Sequence, residues 1–150
     1  MSNMSKVAVI GAGSWGTALA NLLAEKGLDV KLWVREEEVC QQIRVDRVNR
    51  VFLPDITLSE RLEPVRSLAE SVRDMKVVLL VVPSHVFREV LYRLKEHLAS
   101  DAILIAATKG IENETQMLMS EVAEEVLGAE WRDRFACLAG PSFAKEVARH

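Results

Sequence analysis

The chain has 150 residues, almost half of them hydrophobic and about a quarter charged, with a formal net charge of −3. That length supports one domain with a real core, and a mildly acidic chain without a basic stripe or polybasic run argues against nucleic acid or an anionic membrane as partner. The most apolar run, Val77 to Val82, falls far short of the roughly 20 residues that cross a bilayer.

Lys6–Ile10 (KVAVI) is a short β-branched run ending in glycine, the pattern of a strand covered on both faces. No long apolar segment with a cleavage site precedes it. Trp15 to Lys26 reads as a helix, with Ala18, Leu19, Leu22 and Leu23 at helical spacing and Gly27 as its terminator. Val30–Val34 is a second strand and Glu36 to Val45 a second helix. Asn49–Pro54 (NRVFLP) is irregular, because Pro54 biases Leu53 away from helix. A short edge strand over Leu62–Ser67 and a short helix over Leu68–Arg73 follow. Val77–Val82 is the clearest buried strand; Pro83 stops it and Ser84 is expected to cap a helix running to Leu98. Ala102–Ala107 is another buried strand, Thr115 to Leu127 a helix ending near Gly128, and Phe135–Leu138 a last strand. The alternation predicts parallel strands joined by right-handed crossovers, a doubly wound α/β sheet of the Rossmann-like kind in a single domain over residues 1–150.

Between the first strand and first helix lies Gly11-Ala12-Gly13-Ser14-Trp15-Gly16, with G-x-G-x-x-G spacing. Gly11 permits the tight turn, Gly13 lets the backbone approach a pyrophosphate, and Gly16 lets the helix pack on the sheet. The helix start offers N–H groups and partial positive charge to phosphates. A strand before and a helix after turn a weak hexapeptide into a dinucleotide site. Trp15 is either a packing aromatic or a wall beside the cofactor. The second strand ends in Trp33-Val34-Arg35, where a carboxylate would take a ribose 2′-OH. Arg35 there favours a 2′-phosphate, hence NADP(H), while Glu36 to Glu38 leave NAD(H) open.

Val82-Pro83-Ser84-His85, Thr108-Lys109-Gly110 and Gly140-Pro141-Ser142-Phe143 all follow strand ends, where ligands bind in open parallel sheets. Lys109 is either a surface residue or a cation able to neutralise the alkoxide formed by hydride addition to a ketone. His85 is near the crevice and His97 sits on a solvated helix face; neither is a strong catalytic candidate. No His, Cys or acidic spacing suggests a metal. Cys40 and Cys137 fit no redox pairing and read as reduced thiols, Cys137 within a core strand, as suits a cytoplasmic protein.

The ordered set of the glycine turn with Trp15, NRVFLP, VPS, Thr108–Glu112 (TKGIE) and Gly140–Val147 (GPSFAKEV) resembles the N-terminal region of bacterial-type NAD(P)-dependent glycerol-3-phosphate dehydrogenase, over nearly the whole chain. The resemblance implies reversible reduction of dihydroxyacetone phosphate to sn-glycerol 3-phosphate, a precursor of phospholipids. It implies cofactor contacts from Ser14, Trp15, Arg35, Phe52 and Ala144. Phe52 stands where the family often has Tyr, so it would stack without a hydroxyl. Lys109 is implied at both cofactor and substrate, and Gly140 and Ser142 at the substrate. The family carries a second, mostly helical domain with a further lysine as proton acceptor and basic residues for the substrate phosphate. The chain is therefore expected to be a truncated, cofactor-binding half without useful turnover, with room for a homodimer in the full-length enzyme. Two rivals stand beside this: a related dehydrogenase of another small acid or sugar phosphate, and a nucleotide-sensing module that catalyses nothing.

Overall fold

A computed structural model describes residues 5–139 and 143–149. Six strands form one sheet, β1 (Lys6–Ile10), β2 (Asp29–Trp33), β3 (Leu62–Val65), β4 (Val77–Leu80), β5 (Ile103–Ala106) and β6 (Phe135–Cys137). Every pairing is parallel and the spatial order is β3-β2-β1-β4-β5-β6. The chain moves outward from β1 through β2 to β3, then returns to pair β4 on the other side of β1. The crossovers leaving β1 and β4 diverge there and open a crevice at the carboxyl ends of the two strands.

The helices are α1 (Ser14–Glu25), α2 (Glu37–Asp46), α3 (Leu68–Val72), α4 (Ser84–Leu94), α5 (Met119–Leu127) and α6 (Ala144–Arg149), with a 3-10 helix over Ala129–Arg134. Alternate residues of β1 serve opposite faces. Ala8 and Ile10 join Phe87, Leu91 and Val122 in a core under α3, α4 and α5. Val7 and Val9 join Leu19, Ala20 and Ile43 in a second core under α1 and α2. Truncating one such fully buried leucine or isoleucine to alanine costs roughly 2–5 kcal/mol.

Several local expectations shift. The helix expected from Thr115, α5, begins only at Met119, because Glu112, Thr115 and Met117 bond among themselves in a hairpin loop bridged at Ile111 and Leu118. Ser84 is the first residue of α4 and makes no capping bond; Pro83 holds the cap position and the helix stops at Leu94. Ser67, by contrast, caps α3 through the Glu70 N–H. Cys137 lies exposed on β6, an edge strand, rather than in the core. Gly27 closes α1 with φ +98°, its N–H and that of Leu28 returning to Ala24 and Leu23.

Candidate functional site

The crevice is a cavity of about 660 Å³, within the range of small-molecule and cofactor pockets. Its floor is the glycine turn. Gly11 has φ +120°, and a Cβ there would stand 2.5 Å from the Val81 carbonyl oxygen. A Cβ on Gly16 would stand 1.8 Å from the Gly11 carbonyl oxygen. Gly13 differs: its backbone is extended and a Cβ would meet nothing within 4 Å. The turn is closed at Gly11 and Gly16 by the protein itself and left open at Gly13, toward the cavity.

The first helical bond of α1 runs from Thr17 N–H to Gly13 O at 3.0 Å, so the N–H groups of Ser14, Trp15 and Gly16 precede the helical ladder. No side chain caps this end. It therefore presents donors and the positive end of a twelve-residue helix to the cavity. The fit to a pyrophosphate is one of charge, direction and room.

The segment NRVFLP folds back onto the turn. Asn49 is fully buried; its amide donates to Ala12 O at 3.0 Å and to Thr17 Oγ1 at 2.9 Å, and its Oδ1 accepts from Phe52 N–H at 3.1 Å. Thr17 in turn donates to Ala12 O. The Ser14 hydroxyl donates to the Phe52 carbonyl. Phe52 consequently stands half-buried on the cavity wall with Trp15. Asn49 and Thr17 went unrecognised in the sequence, where an asparagine in an irregular segment reads as loop polarity.

At one end of the cavity, beyond β2, stand Trp33, Arg35 and Glu36; Glu89 and Arg93 of α4 also line the cavity. Trp33 donates its indole N–H to Arg66 O at 3.0 Å, and Arg66 donates back to Arg35 O at 3.1 Å. This exchange ties the ends of β2 and β3 and fixes the Arg35 backbone. Arg66 also pairs with Glu37 at 3.7 Å, which draws one carboxylate away. The Arg35 side chain is exposed and makes no bond among the described residues.

At the other end stand Val82, Pro83, His85, Thr108 and Lys109. The Thr108 hydroxyl donates to Val82 O at 2.7 Å. Lys109 Nζ lies 5.8 Å from the centroid of the Trp15 ring, inside cation–π range. The structure thus joins Lys109, Trp15 and the glycine turn, which the sequence separates by nearly the whole sheet. Glu112 accepts two bonds from the Arg88 guanidinium, both at 2.9 Å. Those bonds and one from Thr115 hold its carboxyl below the usual carboxylate range, and Arg88 is pushed the opposite way.

Ala144 is not among the residues lining the cavity; α6 packs it toward Ala18, Leu53 and Ala148. Gly140 and Ser142 lie outside the described residues. His97 is exposed and away from the cavity.

The family described as NAD-dependent glycerol-3-phosphate dehydrogenase N-terminus matches residues 6–150. A glycerol-3-phosphate dehydrogenase [NAD(P)+] of Syntrophobacter fumaroxidans is 47% identical over 143 residues, covering 95% of this chain and 42% of the relative. The enzyme of the same name from Syntrophotalea carbinolica is 49% identical over 142 residues, covering 95% of this chain and 43% of its own length. Among solved structures, glycerol-3-phosphate dehydrogenase from Coxiella burnetii aligns with a TM-score of 0.87 at 36% identity, covering 96% of this chain and 43% of that one. The chain spans less than half the length of these relatives.

Proposed function

The chain belongs to the NAD-dependent glycerol-3-phosphate dehydrogenase N-terminus family, and from that premise we propose that residues 1–150 are the cofactor-binding domain of an enzyme that reversibly reduces dihydroxyacetone phosphate to sn-glycerol 3-phosphate, supplying glycerophospholipid synthesis. The observation that carries this is the single cavity running from the glycine turn to Lys109. A nicotinamide dinucleotide, when bound, supplies the hydride; the protein supplies orientation and electrostatics.

The N–H groups at the start of α1 bind the pyrophosphate, with Gly13 giving the room for close approach. Arg35, extended from the end of β2, takes a 2′-phosphate, which favours NADP(H) over NAD(H); Arg93 lines the same cavity and adds positive charge. Glu36 on that wall is the group that could serve NAD(H) instead. Trp15 and Phe52 form apolar walls, Phe52 without a hydroxyl. Lys109 reaches the far end and neutralises the charge that develops on the substrate C2 oxygen as hydride arrives. Gly140 and Ser142 are the proposed substrate contacts on this chain. Free thiols at Cys40 and Cys137 suit work in the reducing cytoplasm.

The test is turnover of the enzyme at the length of its relatives, with NADPH and dihydroxyacetone phosphate. Lys109→Ala should lower kcat/KM by about 10²–10³-fold, as expected for loss of one charge-stabilising donor. Preferential turnover of ketopantoate or 6-phosphogluconate would reassign the substrate. Nucleotide binding with no turnover of any of the three would favour the sensing module.

A further inference from the structure

We propose that Arg88 and Glu112 form a clamp that positions Lys109, and that Glu112 acts on the cofactor only through that lysine; this rests on the assignment of Lys109 to the cofactor. The loop after β5 is pinned twice. Thr108 is tied to the end of β4 through Val82 O at 2.7 Å. Glu112 is tied to α4 by the two-pronged Arg88 contact at 2.9 Å and 2.9 Å. Only Lys109, Gly110 and Ile111 lie between the anchors. Gly110 takes φ +99° to make the bend, a conformation side chains resist. Lys109 is thus the first residue of a short arch with both feet fixed.

The second foot is built unlike the rest of the surface. The side chains of Arg88 and Glu112 are 25% and 14% exposed. In every ion pair among the described residues that lacks Arg88, both partners are at least 39% exposed, and such pairs contribute little. Arg88 also bonds Glu125 at 3.0 Å, while Thr115 donates to Glu112 at 2.6 Å. The backbone N–H of Glu112 donates to Met117 O at 2.9 Å. The clamp therefore joins the helix that follows β4 to the loop that follows β5.

The charge balance has a direct consequence. A free carboxylate three residues from Lys109 would compete for its ammonium group. With Glu112 occupied by Arg88 and Thr115, the ammonium is left to face Trp15 and the cavity. Ordering the arch before a ligand arrives spares that cost on binding.

A double-mutant cycle on the full chain separates positioning from stability. NADPH affinity is measured calorimetrically for the unsubstituted chain, Glu112→Ala, Lys109→Ala and the double variant, with thermal melting of each. The clamp predicts that Glu112→Ala weakens NADPH about tenfold when Lys109 is present and less than about twofold when it is absent, a coupling typical of groups acting as one unit. Equal losses on both backgrounds, or no loss on either, would overturn it. Should Glu112→Ala fail to melt cooperatively, the cycle is run with Arg88→Lys, which keeps the charge but loses the fork. The same non-additivity is expected there, and additivity again overturns the clamp. Failure of the unsubstituted chain to bind NADPH would appear before any substitution, and overturns the nucleotide site itself along with the clamp.

Discussion

The turn after β1 and the loop after β5 border the same cavity but are held in opposite ways. After β1 the backbone is shaped by missing atoms: no Cβ at Gly11, against the Val81 carbonyl, and none at Gly16, against the Gly11 carbonyl. After β5 the backbone is shaped by added charge, the Arg88–Glu112 contact reaching across 24 residues of sequence. A site built from absent side chains is rigid and sterically unforgiving. A site built from paired side chains can be loosened by degrees. The first suits a phosphate, whose position must be fixed against N–H groups. The second suits a lysine, whose long side chain must be aimed.

Breaking the backbone-built region should give the largest effect. Gly16→Ala drives a Cβ into a backbone carbonyl and should destabilise the chain by about 3 kcal/mol or more, with nucleotide binding lost; urea unfolding measures the first and calorimetry the second. An unchanged midpoint would show that α1 can slide away from the turn. Asn49→Ala comes next. It removes the bonds to Ala12 O, Thr17 Oγ1 and Phe52 N–H inside a buried site and should cost about 2 kcal/mol by the same unfolding measurement. Gly13→Ala sharpens the contrast with the smallest change in stability. Its backbone conformation suits alanine and the space above is open, so stability should move by no more than about 0.5 kcal/mol. NADPH affinity should nonetheless fall about tenfold, equivalent to 1.4 kcal/mol, because the new methyl occupies the phosphate's approach. Loss of stability without loss of affinity would invert the roles given to Gly13 and Gly16.

The backbone-built half was readable in the sequence because its signals are local. Three glycines at fixed spacing between KVAVI and a helical pattern define the turn, and alternating apolar runs define the sheet and its parallel strands. Lys109 was readable for a similar reason, as a lysine directly after a buried run. What supports these residues was not readable. Asn49 and Thr17 meet only once NRVFLP folds back over α1, and neither has a periodic pattern around it. Arg88 and Glu112 are an arginine on an amphipathic helix and a glutamate in a polar loop, indistinguishable in the sequence from solvated charges. Cys137 misled for the reverse reason: an apolar strand pattern does not say whether the strand has a neighbour on each side, and β6 is an edge. The delayed start of α5 follows from side-chain bonds of Glu112 and Thr115 that compete with helix formation over residues 115–118.

On the proposed function, the crevice between the glycine turn and Lys109 receives a nicotinamide dinucleotide whose 2′-phosphate meets Arg35. Calorimetric titration of the chain with NADPH and with NADH, repeated on Arg35→Ala, tests it most directly. Both nucleotides are expected to bind, NADPH more tightly, and Arg35→Ala to remove most of that difference while leaving NADH nearly unchanged. Binding of neither nucleotide to the folded chain, or an NADPH preference that survives Arg35→Ala, would contradict it.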